Sequence, residues 1–338
     1  MPPLGVALRD LLPPVGSRTA LPVRSLVDLA VRADNLGYHS VWLPEGRGRE
    51  AFAQLGALSI ATHRMHIATG IMPVFSRPPA LAAMGLATLD DLSGGRLIFG
   101  IGAGHPGITE RGYGQPFGRP VLAVREFVEI VRRAMSGGPV RYAGKVFQIQ
   151  EFELESTPRR QVPIFIAALR DRMLRLAGTT GDGVLLNWMT PSQAARAAAA
   201  VREAARAAGR AQGSVTIACF IRACVTEQPE QAREILRRMI ATYVGLEAYA
   251  RMFEESGFTR EISAIRSVWA SGVDAATGAV SDQMVDGLGL IGTTEQCRAG
   301  LERFRQSGID LPIVYPYPVE PGRESYERTI AALAPSPF

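Results

Sequence analysis

Short apolar runs alternate along the chain with longer stretches whose apolar residues recur every three to four positions. The run GVALR at 5–9 predicts a first strand, and the stretch at 23–37 has the spacing of an amphipathic helix that ends at a glycine able to adopt positive φ. The run SVWL at 40–43 then predicts a second strand. This alternation is typical of repeated βα units that build a parallel sheet.

The alternation continues along the chain and predicts eight strands in total. Helices are expected near 50–61 and from Pro79 to about Leu92, because proline in the first turn of a helix loses no hydrogen bond. The runs that predict strands are 5–9, 40–43, 66–71, 96–101, 163–167, 183–187, 214–223 and 311–316. Eight parallel strands with intervening helices favour a closed (β/α)8 TIM barrel, with an open doubly wound sheet as the alternative.

The chain length, 338 residues, fits one barrel domain that carries insertions. A plain barrel takes about 250 residues. The excess falls in a Gly/Pro-rich loop near 102–120, a segment near 137–162 with a hairpin at 140–149, and a helical stretch near 242–288. We therefore expect a single domain over 1–338.

Charge and cysteine content narrow the function classes. Lys145 is the one lysine among 37 basic residues, and the arginines are spread out rather than clustered, so the sequence gives no argument for nucleic-acid binding. Three cysteines, Cys219, Cys224 and Cys297, cannot all pair and form no CxxC, which predicts a cytoplasmic protein without a bound metal. No apolar run reaches the roughly 18 residues of a membrane span, and no targeting signal is visible.

In a barrel of this kind, chemistry belongs to the residues at the carboxyl ends of the strands. The main acid–base candidates there are Asp10, Glu45 and His105. A hydrolytic barrel would need paired carboxylates, and the only pair here comes from the first two strands. His105 has a side chain that titrates near neutral pH, so it is a candidate general acid or base, with a loop-capping role as the alternative. Glu45 has two interpretations as well, a ligand contact or a cap of the following helix.

The segment Gly102–Gly107 matches GxGxxG directly after a predicted strand. A dinucleotide fingerprint would open a helix at once, whereas this chain continues into ITERGYGQPFGRP, so we reject that interpretation. The glycines are expected to let the backbone approach a flat ligand, with a tight turn as the alternative.

Two further strand ends lead into helices and are candidate phosphate sites. Residues 167–171 precede the helix RMLRLAG, where free N–H groups and Arg170 or Arg172 would bind an anion. Asn187 and Trp188 precede a second such helix. Ordinary helix caps remain the alternative at both.

Four segments carry a family resemblance: LGYHSVWLPE at 36–45, the stretch at 66–105 with SGGRL and GIGAGH, the stretch at 165–188, and LIGTTEQCRAGLERFRQSGID at 290–310. Together they resemble the bacterial luciferase-like monooxygenase family, in its branch of coenzyme F420-dependent oxidoreductases. The resemblance implies a flavin or deazaflavin at the carboxyl-end mouth of the barrel. By it, Glu45 takes the place of an acidic residue near the deazaflavin, and Gly70–Ile71 that of a non-proline cis peptide against the ring.

The resemblance and the strand-end positions together give the expected site. His105 and Glu45 are the expected catalytic residues, and the expected cofactor-binding residues are Asp10, Gly70, Ile71, Met72, Gly102, Ala103, Gly104, Ala167, Ala168, Leu169, Arg170, Asn187 and Trp188. Where sugar-phosphate dehydrogenases of the family keep a histidine and a glutamate, this chain has Gly46 and His105, which disfavours a sugar phosphate as substrate. The loop 105–119 is the expected substrate lid.

The function that follows from the resemblance is hydride transfer between F420 and a small enone, carbonyl or alcohol, with His105 relaying the proton and Glu45 orienting cofactor or substrate. A reduced-FMN monooxygenase is the nearest alternative. Ala103 and His105 stand where FMN-dependent members often carry an arginine, which favours F420. A non-catalytic flavin or deazaflavin carrier is the third hypothesis. Small residues in the helix PALAAMGLATLDDL and the habit of the family lead us to expect a homodimer.

Overall fold

Eight parallel strands close into a barrel in the computed structural model, which describes residues 2–9, 22–46, 48–158, 160–320 and 322–335. The strands within these ranges are β1 (Gly5–Ala7), β2 (Ser40–Leu43), β3 (His66–Thr69), β4 (Met72–Pro73), β5 (Leu97–Gly102), β6 (Val140–Ala143), β7 (Gln148–Phe152), β8 (Ile164–Ala167), β9 (Gly183–Asn187), β10 (Thr216–Val225), β11 (Gly289–Gly292) and β12 (Leu311–Pro316). The order around the barrel is β1, β2, β3, β5, β8, β9, β10 and β12, which pairs again with β1. The predicted closed barrel is confirmed, and the open doubly wound alternative is wrong.

Helices connect the strands on the outside of the barrel. They are α1 (Val23–Asn35), α2 (Ala51–Ala61), α3 (Pro79–Ser93), α4 (Pro106–Thr109), α5 (Pro120–Met135), α6 (Asp171–Thr180), α7 (Pro191–Ala207), α8 (Pro229–Val244), α9 (Glu247–Phe253), α10 (Thr259–Ser267), α11 (Val273–Gly278), α12 (Asp282–Leu288), α13 (Thr294–Gln306) and α14 (Glu324–Ala332), with a π turn at Glu254–Phe258 and a 3₁₀ turn at Trp269–Ser271. Every helix in the described ranges is too short or too polar to cross a bilayer.

The structure refines several predicted boundaries. The run at 66–71 ends as a strand at Thr69, and the chain then passes through a cis peptide bond between Gly70 and Ile71 before β4 pairs with β5. The first strand ends at Ala7 rather than at residue 9. The strand β11, which the sequence did not predict, pairs with the last four residues of β10 outside the closed ring.

Two layers of side chains build the core. Inside the barrel, alternate residues of the strands form a buried cluster around the ring of Trp42, whose indole N–H donates to the Ser40 hydroxyl at 2.8 Å. Outside it, the other faces of the strands pack on the apolar faces of the helices. In the insertions, β6 and β7 form an antiparallel hairpin where one was predicted, and 242–288 is mostly helical and adds buried side chains to the outer layer. The loop near 102–120 contains the short helix α4.

Candidate active site at the carboxyl ends of the barrel strands

The carboxyl ends of several strands present half-exposed residues beside buried ones. Ile71, Ala103, Ala167 and Asn187 are half-exposed, whereas the strand residues before them are buried. Ile71 lies between β3 and β4, Ala103 follows β5, and Ala167 and Asn187 end β8 and β9, so these residues lie at one end of the barrel. We call Ile71, Ala103 and Ala167 the floor of this opening.

The other members of the predicted cofactor set lie at different depths. Leu169 and Gly104 are half-exposed, and Arg170 is exposed; the predicted catalytic residue His105 is half-exposed as well. The remaining described members are buried: Gly70, Met72, Gly102, Ala168 and Trp188. Asp10 lies outside the described residues. The structure therefore brings the set to one end of the barrel, but only part of it lines the opening.

The glycines after β5 are required by the packing of the chain on itself. A Cβ at Gly102 would lie 3.0 Å from the Ala167 Cβ and 3.3 Å from the Ile71 Cδ1. Gly104 has φ of +73°, and a Cβ there would lie 2.9 Å from the Pro73 side chain. Both glycines thus have a structural reason, and the close approach of a ligand to this loop stays a prediction.

The Glu45 carboxylate is engaged by the protein. It pairs with the Arg77 guanidinium at 2.7 Å, and its side chain is only 6% exposed. Its other oxygen lies 3.4 Å from the backbone nitrogen of Ala51, at the start of α2, and the Glu45 backbone N–H donates to the Ile71 carbonyl at 3.1 Å. These contacts favour an anchoring role next to the Gly70–Ile71 bond.

His105 lies at the start of α4 with its imidazole against the ring of Tyr249, at 5.7 Å between centroids. Its side chain does not cap the helix. Burial and then the positive charge of Arg9 lower the pKa of His105 below its usual 6.5. The imidazole is therefore neutral at pH 7 and able to accept a proton.

Sequence reasoning assigned no role to a buried arginine on β10. Arg222 is 2% exposed and lies among aromatic rings, with its guanidinium carbon 3.8 Å from the Trp188 centroid and 4.6 Å from the Tyr315 centroid. It donates to the Asn187 side-chain oxygen, and the Asn187 amide donates to the Tyr249 hydroxyl at 2.7 Å. The signal available in the sequence was a single charge inside an otherwise apolar strand, TIACFIRACV.

The two candidate phosphate sites differ in how the helix begins. No side chain caps α6, because Arg170 makes no cap hydrogen bond and instead pairs with Glu255 at 3.1 Å. At α7, the Thr190 hydroxyl accepts from the Gln193 N–H. The first turn of α6 is therefore the freer of the two for an anion.

The cysteines and metal-binding residue types do not contribute reactive groups in the part of the chain that is described. Cys219, Cys224 and Cys297 are buried, and burial raises the pKa of each thiol, to about 12 for the first two and about 11 for the third. Within the same residues, no group of three His, Cys, Asp or Glu side chains is placed to hold a metal ion.

The predicted lid is docked on the rim of the barrel. The Tyr113 hydroxyl donates to the Gly46 carbonyl at 2.9 Å, and the Phe117 ring lies 5.1 Å from that of Phe75. A cavity of about 980 Å³ lies between this loop and the hairpin turn near Lys145. The loop thus contacts the rim from which Glu45 and Arg77 project.

Comparison with known proteins identifies the family. A family model described as luciferase-like monooxygenase matches residues 5–311. The chain is 25% identical to 5,10-methylenetetrahydromethanopterin reductase of Archaeoglobus fulgidus, over 86% of this chain and 89% of that protein. It is also 25% identical to a putative coenzyme F420-dependent oxidoreductase of Mycobacterium tuberculosis, over 93% of this chain and 95% of that protein.

Solved structures share the fold. The coenzyme F420-dependent tetrahydromethanopterin reductase of Methanopyrus kandleri superposes with a TM-score of 0.83 at 22% identity, covering 98% of this chain and 97% of that one. A type II Baeyer–Villiger monooxygenase of Pseudomonas putida in complex with FMN superposes with a TM-score of 0.73 at 16% identity, covering 99% and 97%. The fold is therefore shared with an enzyme described as F420-dependent and with a monooxygenase solved with FMN.

Proposed function

The chain belongs to the luciferase-like monooxygenase family, and we propose that it is a coenzyme F420-dependent oxidoreductase that transfers a hydride between the deazaflavin and a small organic substrate. The sequence relatives that name a cofactor name F420. The observation that carries the proposal is the floor of half-exposed apolar side chains at the strand ends, formed by Ile71, Ala103 and Ala167. It fits a flat ring system.

The protein's part in the reaction is binding and proton handling. F420, when bound, supplies the carbon that gives or takes the hydride. The floor would hold the ring, and the uncapped first turn of α6 would hold a phosphate through backbone N–H groups. Glu45, held by Arg77, would fix the backbone on which the ring rests.

His105 is our candidate for the proton relay. A neutral imidazole accepts the hydroxyl proton of an alcohol, and the protonated ring returns it to a carbonyl oxygen in the reverse direction. The position of His105 beside half-exposed Ala103 puts its ring at the opening. The substrate would thus lie between His105 and the ring of the cofactor, an enone, carbonyl compound or alcohol being the class we propose.

A side-by-side titration tests the choice of cofactor. Purified protein is titrated with oxidised F420 and with FMN, each at low and at higher salt, and binding is followed by fluorescence. We expect tight F420 binding and weak FMN binding, because Ala103 and His105 stand where FMN-dependent members of the family often carry an arginine for the phosphate. Preferential FMN binding would move the protein to the oxygen-using branch, and F420 binding without turnover across enones, carbonyls and alcohols would favour a carrier.

A further inference from the structure

Two arginines meet at the open side of the barrel without a carboxylate partner among the described residues. Arg222 is almost fully buried, and its hydrogen-bond acceptor is the neutral Asn187 amide. The Nε of Arg222 is buried without a hydrogen-bond partner. Arg9, two residues after β1, lies near Tyr315 and Tyr243, and these two phenols raise the pKa of its guanidinium.

The neighbours of these two cations are phenols and indole. The Arg222 guanidinium lies 5.7 Å from the centroid of Tyr243 and closer to Tyr315 and Trp188. Aromatic faces attract a cation, but the attraction is far smaller than the cost of burying an unpaired charge. The cluster therefore holds positive charge that a bound anion would offset.

The pKa of Tyr243 is affected by the same excess of positive charge. Burial alone would raise the pKa of Tyr243, yet Arg222 and Arg9 together lower it below its usual 10. His105 does not offset the excess, because its pKa is lowered and its neutral ring carries no negative charge. An oxyanion placed here would face two fixed cations and no opposing carboxylate of the described chain.

The cluster is reachable from the opening. Arg9 and Tyr243 are half-exposed, as are Asn187 and His105. Arg222 lies behind them, against the buried ring of Trp188. A ligand in the mouth of the barrel would therefore reach the half-exposed residues Arg9 and Tyr243, with Arg222 as a second charge beneath.

We propose that the substrate is an organic carboxylate, bound through Arg9 and the hydroxyl groups of Tyr243 and Tyr315, with an apolar or aromatic body against the surrounding rings. Because Arg222 is buried, it is a positioning residue that adds a fixed positive charge. The proposal rests on the proposed function, since this substrate would be the partner in hydride transfer.

The chemistry of such a substrate balances without a further reactant. For an unsaturated acid, the hydride of the reduced deazaflavin adds to the β-carbon and brings both electrons. The carbon–carbon π bond breaks, and the α-carbon takes one proton from the solvent, either directly or through His105 after its imidazole has taken up a solvent proton. The carboxylate keeps its charge throughout, so its contacts with Arg9 hold in substrate and product alike.

The first arm of the test measures binding alone. Thermal unfolding is followed with 3-phenylpropanoate and with its methyl ester, neither of which can be reduced, in the presence and absence of F420. We expect the acid to raise the Tm and the ester to leave it unchanged, and we expect Arg9→Gln to weaken acid binding at least 10-fold. Arg9→Lys should restore part of the binding, which separates loss of charge from misfolding. Arg141→Gln removes one charge from the exposed hairpin, where Arg141 is 75% exposed, and should change nothing.

The second arm measures reduction of cinnamate and methyl cinnamate by reduced F420. We expect the ratio of kcat/KM for acid to ester to fall at least 10-fold in Arg9→Gln. A preference for the ester, or equal binding of acid and ester, would overturn the proposal. A loss of F420 affinity in Arg9→Gln, with the acid-to-ester ratio of kcat/KM unchanged, would also overturn the proposal. Arg9 and Arg222 would then bind the cofactor rather than the substrate. Acid binding that depends on Arg9 without any turnover would retain the anion site and count against the proposed function.

Discussion

His105 shows how a single side chain acquires a chemical role from its neighbours. Burial and the charge of Arg9 keep its imidazole neutral at a pH where a solvent-exposed histidine is partly protonated. We expect alcohol oxidation to fall only at a pH below the usual histidine value of 6.5, as the ring takes up a proton. His105→Gln should lower kcat about 100-fold, remove that acid limb and leave the Kd for F420 unchanged.

The control for this change is His63→Gln. His63 is exposed and precedes β3, at the amino end of the barrel, away from the opening. The pH profile of alcohol oxidation by His63→Gln should match that of the wild type. Full turnover in His105→Gln would refute the proton-relay role.

Single residues were the part of the site that sequence reasoning predicted least completely. His105 and Asn187 could be placed because strands with a clear apolar pattern lead up to them: Asn187 ends β9, and His105 follows the end of β5 by three positions. Tyr243 and Tyr249 could not, because they come from α8 and α9, and nothing local shows that these helices fold over the strand ends. Contacts such as Asn187 with Tyr249, 62 positions apart, exist only after the barrel closes.

The hairpin β6–β7 depends on one carboxylate of the neighbouring helix. Glu126 on α5 is 3% exposed, and it accepts the backbone N–H groups of Lys145, Val146 and Phe147 at 2.8, 2.9 and 3.0 Å. Burial raises the pKa of Glu126, but the three N–H donors outweigh it and the net pKa is lowered. The carboxylate thus replaces the partners that the turn of the hairpin would otherwise find in water.

Glu126→Gln should cost about 1.5–3 kcal/mol, because an amide offers one oxygen and no charge to three donors. Hydrogen exchange of the amides in 140–152 should accelerate. Since the folded pKa lies below the ordinary value of 4.5, the wild-type advantage should be complete above that pH and disappear as the pH falls through the lowered value. Glu129→Gln is the matched control, because Glu129 on the same helix accepts the Tyr142 hydroxyl and no backbone N–H group of the described hairpin residues. Equal exchange in the two variants would contradict the anchoring role of Glu126.

The strands were predicted well where apolar residues form a regular run, and poorly where the chain turns within such a run or pairs outside the closed barrel. The strands at 40–43, 183–187 and 311–316 match the sequence expectation. The run at 66–71 looks continuous in sequence, but the chain turns after Thr69 and resumes as β4. The short β11 pairs only with the end of β10, a context that the local pattern does not contain.

A stripe of exposed apolar side chains on the outside of the barrel bears on the oligomeric state of the protein. Leu81, Met84 and Leu92 on α3 are 53%, 50% and 47% exposed, and Ile60 on the neighbouring α2 is 70% exposed. The first three lie on one face of α3, since their spacing follows the helical period. Full burial of such a side chain contributes about 1.5–3 kcal/mol, so we propose that two copies of the chain pack together over α2 and α3.

Leu81→Glu combined with Met84→Glu should convert this dimer to a monomer. In a two-fold symmetric interface each substitution occurs twice, so four carboxylates would have to be buried, and we expect the dimer Kd to rise by a factor of about 100 or more. Sedimentation equilibrium should give twice the 36.4 kDa chain mass for the wild type and 36.4 kDa for the double variant. Val23→Glu, at another exposed apolar residue that starts α1, should stay dimeric. The candidate residues at the strand ends all come from one chain, so we expect the monomeric variant to bind F420 still, which would show that dimerisation and cofactor binding are independent. A monomeric wild type would refute the interface.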